Sequence, residues 1–362
     1  MTSDTIINHD FIVKKQSLKD HEFLETALPE LKDGEVRLAV DRFAFTANNI
    51  TYAAMGDRMR YWEFFPSDQG FGKIPVWGFA DVVASKHDGI SVGSRYYGYY
   101  PMSSHVVVSP AKVSPSGFMD GAAHRAQLPV IYNLYVNVTT DPSYTQDGED
   151  LQALYRPLFM TSFLIDDFLA ENETFGAAQV IFSSASSKTA YCAAYLAAKR
   201  PDLKVIGLTS KGNAAFTQGL GFYDKIVTYD DIETLDGSVP TVYVDMAGST
   251  DIRARVHTNF GDNLVYSCSV GASHWEEMGG GGDLPGAKPQ LFFAPSQGQK
   301  RMQEWGPEGF QKRTGEAWAG FIDKAAAWVD VKHHKGQKAI ENIYMETLEG
   351  RAKPRDGHIL SF

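Results

Sequence analysis

The sequence predicts an α/β protein of two domains, a β-rich N-terminal part followed by a doubly wound parallel sheet. Three observations carry this prediction. Up to about residue 113, short strand-like runs recur at close spacing with turn residues between them. From residue 178, six short runs rich in Val, Ile, Leu or Phe alternate with helical segments. The chain has 362 residues, more than one small core organises.

In the N-terminal part, residues 35–44 (EVRLAVDRFA) alternate with a period near two, as a half-buried strand does. Residues 77–84 and 105–108 are further strand-like runs. Asp88-Gly89 and Val92-Gly93-Ser94 supply turn chemistry between them. Such strands suit a compact barrel-like domain. Residues 114–155 are less readable, and the polar stretch 139–150, with Pro142 and Gly148, predicts an exposed loop or insertion. An apolar stripe at helical spacing over 160–169 predicts a helix.

The parallel strands are expected at 179–183, 204–209, 225–229, 241–245, 263–268 and 290–294. Strands buried on both faces read as short apolar runs, and helical crossovers between them are right-handed. Six of them is the count of a dinucleotide-binding doubly wound domain. Helices over 316–329 and 339–349 and a returning strand over 357–362 close the prediction.

Composition excludes several classes. There are 44 acidic against 34 basic residues, a net charge of −10, which disfavours phosphate-backbone binding and excludes nucleic acid as a partner. The only two cysteines, Cys192 and Cys268, make neither a disulfide framework nor a four-thiolate zinc site. The polar start and the absence of a long apolar run predict a cytoplasmic protein without a membrane partner.

The run Val180-Ile181-Phe182-Ser183-Ser184-Ala185-Ser186-Ser187-Lys188-Thr189-Ala190 is the most informative in the chain. A hydrophobic strand ends in tiny residues and a helix begins at once. Small side chains let backbone approach a pyrophosphate, and N–H groups at the helix start meet its charge. Ser184, Ser187 and Ala190 stand where a dinucleotide fingerprint has glycines; the turn reads either as a phosphate cradle or as a plain strand–turn–helix. Ser187-Lys188-Thr189 does not make a P-loop, because Phe182 occupies the strand where that motif needs its first glycine. An NAD site wants a carboxylate at the end of the second strand; here stand Thr209, Ser210 and Lys211, which suit a 2′-phosphate and favour NADP(H). The alternative for Lys211 is an exposed lysine opening the next helix.

The stretch from Gly34 to Val40, followed by Asn48-Asn49-Ile50-Thr51-Tyr52, resembles the opening of zinc-free quinone oxidoreductases of the medium-chain dehydrogenase/reductase superfamily. Val92-Gly93-Ser94-Arg95-Tyr96-Tyr97-Gly98 is similar to that family's Val-Gly-Asp-Arg-Val-x-Gly strand. Residues 180–197 align on its strand–turn–helix unit. Leu220-Gly221-Phe222-Tyr223-Asp224 resembles its Leu-Gly-Ala-Asp block, Val244-Asp245-Met246-Ala247-Gly248 its fourth-strand block, and residues 348–360 its final strand. Residues 156–164, and residues 292–295 running to Glu304-Trp305-Gly306, look instead like a divergent branch of uncharacterised function.

The resemblance implies an N-terminal chaperonin-10-like (GroES-like) β-barrel, residues 1–156, completed by residues 330–362. It implies a six-stranded Rossmann NADP-binding domain at 157–329, an active site in the cleft between the two, and a homodimer formed through Rossmann edge strands. It places Tyr52 at the family's active-site tyrosine, as proton or hydrogen-bond donor, with Asn48 holding the nicotinamide ribose or the substrate; a buried, satisfied aromatic is the other reading of Tyr52. Thr161 matches a threonine that meets the cofactor. Ala247 and Gly248, and Ser269, Val270 and Gly271, follow parallel strands and so lie at the sheet edge where nucleotides bind. With Ser184, Ala185, Ser186, Ser187, Lys188, Thr189, Thr209, Ser210 and Lys211 they complete the expected cofactor site.

No metal is expected in catalysis, since no cysteine precedes Cys192 and neither His87 nor His105 has a partner at ligand spacing. His333-His334 reads as a solvated pair pointing apart, and Asp166-Asp167 as first-turn charges favoured by the helix dipole. Cys192 is expected in the core and Cys268 as structural. The run 61–65 (YWEFF) makes either an apolar substrate pocket or a core corner, and the Gly-rich run 278–283 reads as a lid. The function expected is zinc-independent, NADP(H)-dependent hydride transfer to a quinone, enone or related apolar conjugated carbonyl. The alternatives are a non-catalytic NADP(H)-binding sensor or scaffold, and a reductase fold that has lost its nucleotide site.

Overall fold

The computed structural model describes residues 6–68, 70–270 and 284–362, in two compact units: residues 1–156 with 329–362, and residues 157–328. The chain opens on an antiparallel pair, β1 (Ile7–Lys14) and β2 (Ser17–Ala27), whose register sets Phe11 opposite Phe23. β3 (Val36–Phe45) buries alternate residues from Val36 to Val40, and a register shift between Val40 and Arg42 then turns Phe43 inward. Helix α1 (Ala47–Ala54) starts on a capping box: Thr46 N donates to Asn49 Oδ1 at 2.8 Å, and Asn49 Nδ2 reaches Pro75 O. Asn49 is therefore spent on structure.

Next come β4 (Phe71–Gly72), β5 (Pro75–Ser85), β6 (Arg95–Pro101), β7 (His105–Val108), β8 (Pro110–Ser114), β9 (Gly117–Asp120) and β10 (Leu134–Asn137). Gly78 in β5 has no room for a side chain: a Cβ there would meet Arg42 O at 2.1 Å. The stretch 139–150 forms short 3₁₀ turns, and helix α2 runs over Glu149–Glu171. It begins inside the expected loop region because Glu149 is buried against Arg95.

In the second unit the strands are β11 (Gln179–Phe182), β12 (Lys204–Thr209), β13 (Lys225–Thr228), β14 (Thr241–Asp245), β15 (Leu264–Ser269) and β16 (Pro289–Leu291). Their order is β13-β12-β11-β14-β15-β16, all neighbours parallel, which is the doubly wound order 3-2-1-4-5-6 of a dinucleotide-binding sheet. Helices α3 (Lys188–Ala197), α4 (Ala214–Gly219), α5 (Thr250–Phe260) and α6 (Ala294–Ala325) connect or follow the strands. In α3, Ala190, Ala193 and Ala194 are buried along with Cys192, and Cys268 is buried in β15. The last strand is shorter than expected, because α6 takes over at Ala294; that helix kinks at Gly306, φ 69°, just before Pro307.

The chain then returns to the first unit. β17 (Asp330–Lys335), helix α7 (Gln337–Leu348) and β18 (Asp356–Ser361) form a β-α-β crossover with parallel strands, and β18 pairs antiparallel with β3, Leu360 opposite Phe43. The resulting nine-stranded sheet runs β17-β18-β3-β5-β6-β10-β9-β8, with β7 also on β3. Its core joins Phe11, Phe43, Phe45 and Val76 to Ile340, Tyr344 and Leu360 from the returning segment.

Two sequence expectations fail. Asp166 and Asp167 lie in the last turns of α2, where the dipole disfavours them. They are held by arginines instead: Arg200 lies 2.6 Å from Asp166 and Arg301 2.6 Å from Asp167. His333 and His334 do point apart, but neither is merely solvated. His333 Nε2 lies 2.6 Å from Asp150, and His334 Nε2 3.1 Å from His358 Nδ1. Among the described residues, no helix is long and apolar enough to cross a membrane.

Gly78→Ala forces the β3–β5 pair apart, and overpacking of this kind costs about 1–3 kcal/mol. Urea denaturation is expected to show that loss as a lower midpoint with an unchanged slope.

Candidate functional site

In the second unit the carboxyl ends of β11, β12, β14 and β15 converge, and hydrogen bonds tie them together. Ser183, one residue past β11, donates to Asp245 Oδ1 at 3.0 Å and accepts from the backbone N–H groups of Met246 (2.9 Å) and Ala247 (3.0 Å). Its one donor and two acceptor positions are all used. Asp245 is fully buried; Oδ1 also accepts from Gly248 N at 2.9 Å, and Oδ2 takes the Arg253 guanidinium at 2.9 Å. This cluster fixes the turn after β14, where Gly248 takes φ 64°.

The turn after β11 keeps the backbone of a glycine-rich turn without the glycines. Ser184 sits at φ 49°, the left-handed region that a glycine occupies without strain. Its N–H donates to Tyr229 Oη at 2.9 Å, Ala185 N donates to Leu208 O, and Ser187 caps α3 by accepting from Ala190 N. Ser186 and Thr209 are buried and face each other, Oγ to Oγ1 3.4 Å, and Asn213 Nδ2 donates to Ser186. Thr209 thus braces the turn from beneath, whereas Ser210 and Lys211 are exposed beyond the strand end. Lys188 and Thr189 open α3 and are half-buried.

Val270 N donates to Asp245 O at 2.9 Å, which brings β15's end beside the 246–248 turn. Ser269 is buried there, its Oγ without a partner among the described residues. Gly271 and the run 278–283 lie outside the described residues. Thr161, on α2, bonds back to Pro157 O within its own helix; its neighbour Ser162 donates to Thr189 O at 2.7 Å and ties α2 to the start of α3. Ser183, Asp245, Arg253, Asn213, Tyr229 and Ser162 were not singled out from sequence as site residues. Only the position of Ser183 and Asp245 at strand ends signalled them.

In the first unit, Tyr52 lies in an aromatic cluster with Tyr61 (ring centroids 4.6 Å), Tyr99 (5.7 Å) and Tyr132 (6.3 Å). Trp77 Nε1 stands 3.4 Å from its hydroxyl. Burial pushes the Tyr52 phenol well above its ordinary range, against hydrogen bonds from Trp77 and Asn48. It is therefore a neutral hydrogen-bond donor at physiological pH. Tyr61, Trp62, Phe64 and Phe65 of the aromatic run are buried, and Arg125 lies over the Phe65 ring at 4.6 Å. The Tyr97 and Tyr99 hydroxyls are buried without a hydrogen-bond partner among the described residues.

The left-handed residue gives a direct test of the turn. Ser184→Val adds a β-branched side chain at positive φ, and is expected to destabilise by about 1–3 kcal/mol. Ser184→Gly relieves the backbone and is expected to be neutral or stabilising, both read by thermal unfolding.

The family model described as "Protein of unknown function (DUF2855)" matches residues 43–353. No curated protein matches the sequence. Among solved structures, the chain is similar to CurA from Vibrio vulnificus in complex with NADPH, with TM-score 0.61 and 11% identity over 98% of each chain. It is also similar to the quinone oxidoreductase from Coxiella burnetii, with TM-score 0.55 and 12% identity over 99% of this chain and 100% of that one. A third likeness is to the CurK enoyl reductase, with TM-score 0.59 and 13% identity over 98% and 99%. At such identities the likeness establishes the fold, a GroES-like domain with a Rossmann domain as in the medium-chain dehydrogenase/reductase superfamily. With the family model spanning most of its length, the chain belongs to the DUF2855 family.

Proposed function

We propose that the chain is an NADP(H)-dependent oxidoreductase that reduces an apolar conjugated carbonyl such as a quinone or enone without catalytic zinc. The observation that carries the reading is the turn after β11. It holds a left-handed residue where the dinucleotide fingerprint has a glycine, at the carboxyl edge of a 3-2-1-4-5-6 sheet. The dinucleotide fits this edge chemically. Ser184, Ala185, Ser186 and Ser187 are small enough for backbone to approach a pyrophosphate, the start of α3 would meet its charge, and Ser210 and Lys211, exposed beyond the end of β12, would meet a 2′-phosphate. The first two strands end without the carboxylate that an NAD ribose requires.

When bound, the dinucleotide supplies the hydride. The protein's part is to hold it: Lys188 and Thr189 at the helix start, Lys211 at the phosphate, and Ala247, Gly248, Ser269 and Val270 along the sheet edge, with Thr161 on α2. Tyr52, kept protonated by burial, donates a hydrogen bond or a proton to the carbonyl, and Asn48 bonded to it sets its direction. Zinc chemistry of the superfamily's thiolate kind has no donors here, since Cys192 and Cys268 are both buried in the second unit. The reading includes a cytoplasmic homodimer through the edge strand β16, where Leu291 and nearby Phe293 are exposed.

A second reading, an NADP(H)-binding sensor or scaffold, is favoured by two contacts. The Ser184 N–H is engaged by Tyr229, and Tyr52 is packed among aromatic rings. Fluorescence titration with NADPH and NADH, followed by absorbance loss over a panel of enones and quinones, separates the readings. Binding with turnover is expected; binding without turnover across the panel establishes the sensor, and no binding overturns both. Lys211→Ala is expected to weaken NADPH about tenfold while leaving NADH unchanged, the loss of one charge-assisted contact. Tyr52→Phe is expected to lower kcat with NADPH affinity intact. Light scattering of Leu291→Lys against the parent chain checks the dimer, which the variant is expected to dissociate.

A further inference from the structure

We infer that Glu346, Asp356 and His358 form a site for a divalent cation of the zinc class, with His334 orienting the imidazole. The crossover β17-α7-β18 builds it. The side-chain period of two puts Lys332 and His334 on one face of β17, and Asp356 and His358 on one face of β18. In the parallel register Lys332 stands opposite His358. Helix α7 packs on both strands and brings Glu346, in its last turn, to the same place.

One ligand atom from each of Glu346, Asp356 and His358 lies within 4.8 Å of the other two, the one such gathering of three among the described residues. Ligand atoms each about 2 Å from a zinc ion stand about 3–4 Å apart, so a small rotation of the half-buried Glu346 side chain closes the set. His358 is buried, and its Nδ1 is engaged by His334 Nε2 at 3.1 Å. Its ring supplies one nitrogen to the gathering with Glu346 and Asp356. A second residue on the far nitrogen of a ligating histidine, fixing tautomer and ring direction, is the usual outer partner of a zinc-bound imidazole. One imidazole and two carboxylates suit borderline and hard divalent ions.

Lys332 is the built-in competitor. Its ammonium lies 2.7 Å from Asp356 Oδ1 and so already neutralises one of the three ligands. A cation entering the site takes over the neutralising role that Lys332 now plays. Bound there, it would cross-link both strands and the helix of the returning segment.

Isothermal titration of the full chain with Zn²⁺, after chelator treatment, tests this. A single saturable site is expected, weakened about tenfold or more by Glu346→Gln and by His334→Ala, and strengthened by Lys332→Met. NADPH binding is expected to be unchanged in all three, which separates this site from the proposed cofactor site. No saturable binding, or binding indifferent to both Glu346→Gln and His334→Ala, overturns the assignment. Circular dichroism confirms that each variant is folded, and the two weakening variants stand on different elements, so failure of one to fold leaves the other decisive.

Discussion

A fully buried carboxylate organises the second unit. Asp245 is tolerable in a low-dielectric interior only because Arg253 neutralises it and Ser183 and Gly248 satisfy its remaining lone pairs. Those same partners are the end of β11, the turn after β14 and the body of α5. Satisfying one charge therefore fixes three pieces of backbone at the carboxyl edge. Breaking such a pair by removing one partner typically costs about 3–5 kcal/mol. The first unit uses the same logic around a cation: Arg95 reaches Asp41, Asp81 and the buried Glu149, tying β6 to its neighbours and to the start of α2.

In the turn after β11, serines take the place of glycines. A glycine turn leaves backbone amides bare for an anion. Here the hydroxyls of Ser183, Ser186 and Ser187 accept from Met246 N after β14, from Asn213 Nδ2 and from Ala190 N in α3, and Tyr229 meets the Ser184 amide. The loop is braced from within rather than only by a bound phosphate. A turn built this way holds its shape before any ligand arrives, which lowers the ordering cost of binding.

The doubly wound sheet was legible because strands buried on both faces leave compact apolar runs, and no tertiary detail is needed to see them. The small-residue turn was legible for the same local reason. Helix α2 was not, apart from 160–169: its first turns are polar, Pro157 interrupts it, and Glu149 is buried only because Arg95 comes to meet it. The long α6 was legible only near its end, since Gly306-Pro307 reads as a terminator yet makes a kink. Asp166 and Asp167 misled because the start of their helix was placed too late. At the candidate site, chain order showed strand ends but not which side chains cross between them. Arg253 on Asp245 and Tyr229 on Ser184 are matters of register and packing, and no spacing in the sequence announces them.

β17 sits at the border of the nine-stranded sheet, with one row of its backbone hydrogen-bonding groups unclaimed by any neighbouring strand among the described residues. Its sequence, Asp330-Val331-Lys332-His333-His334-Lys335, is almost wholly ionisable and mostly exposed. Charge on a border strand discourages the strands of other molecules from adding to the sheet. The segment that completes the first unit is in this way also its guard against self-assembly into aggregates. Replacing those charges with β-branched apolar residues would remove that protection.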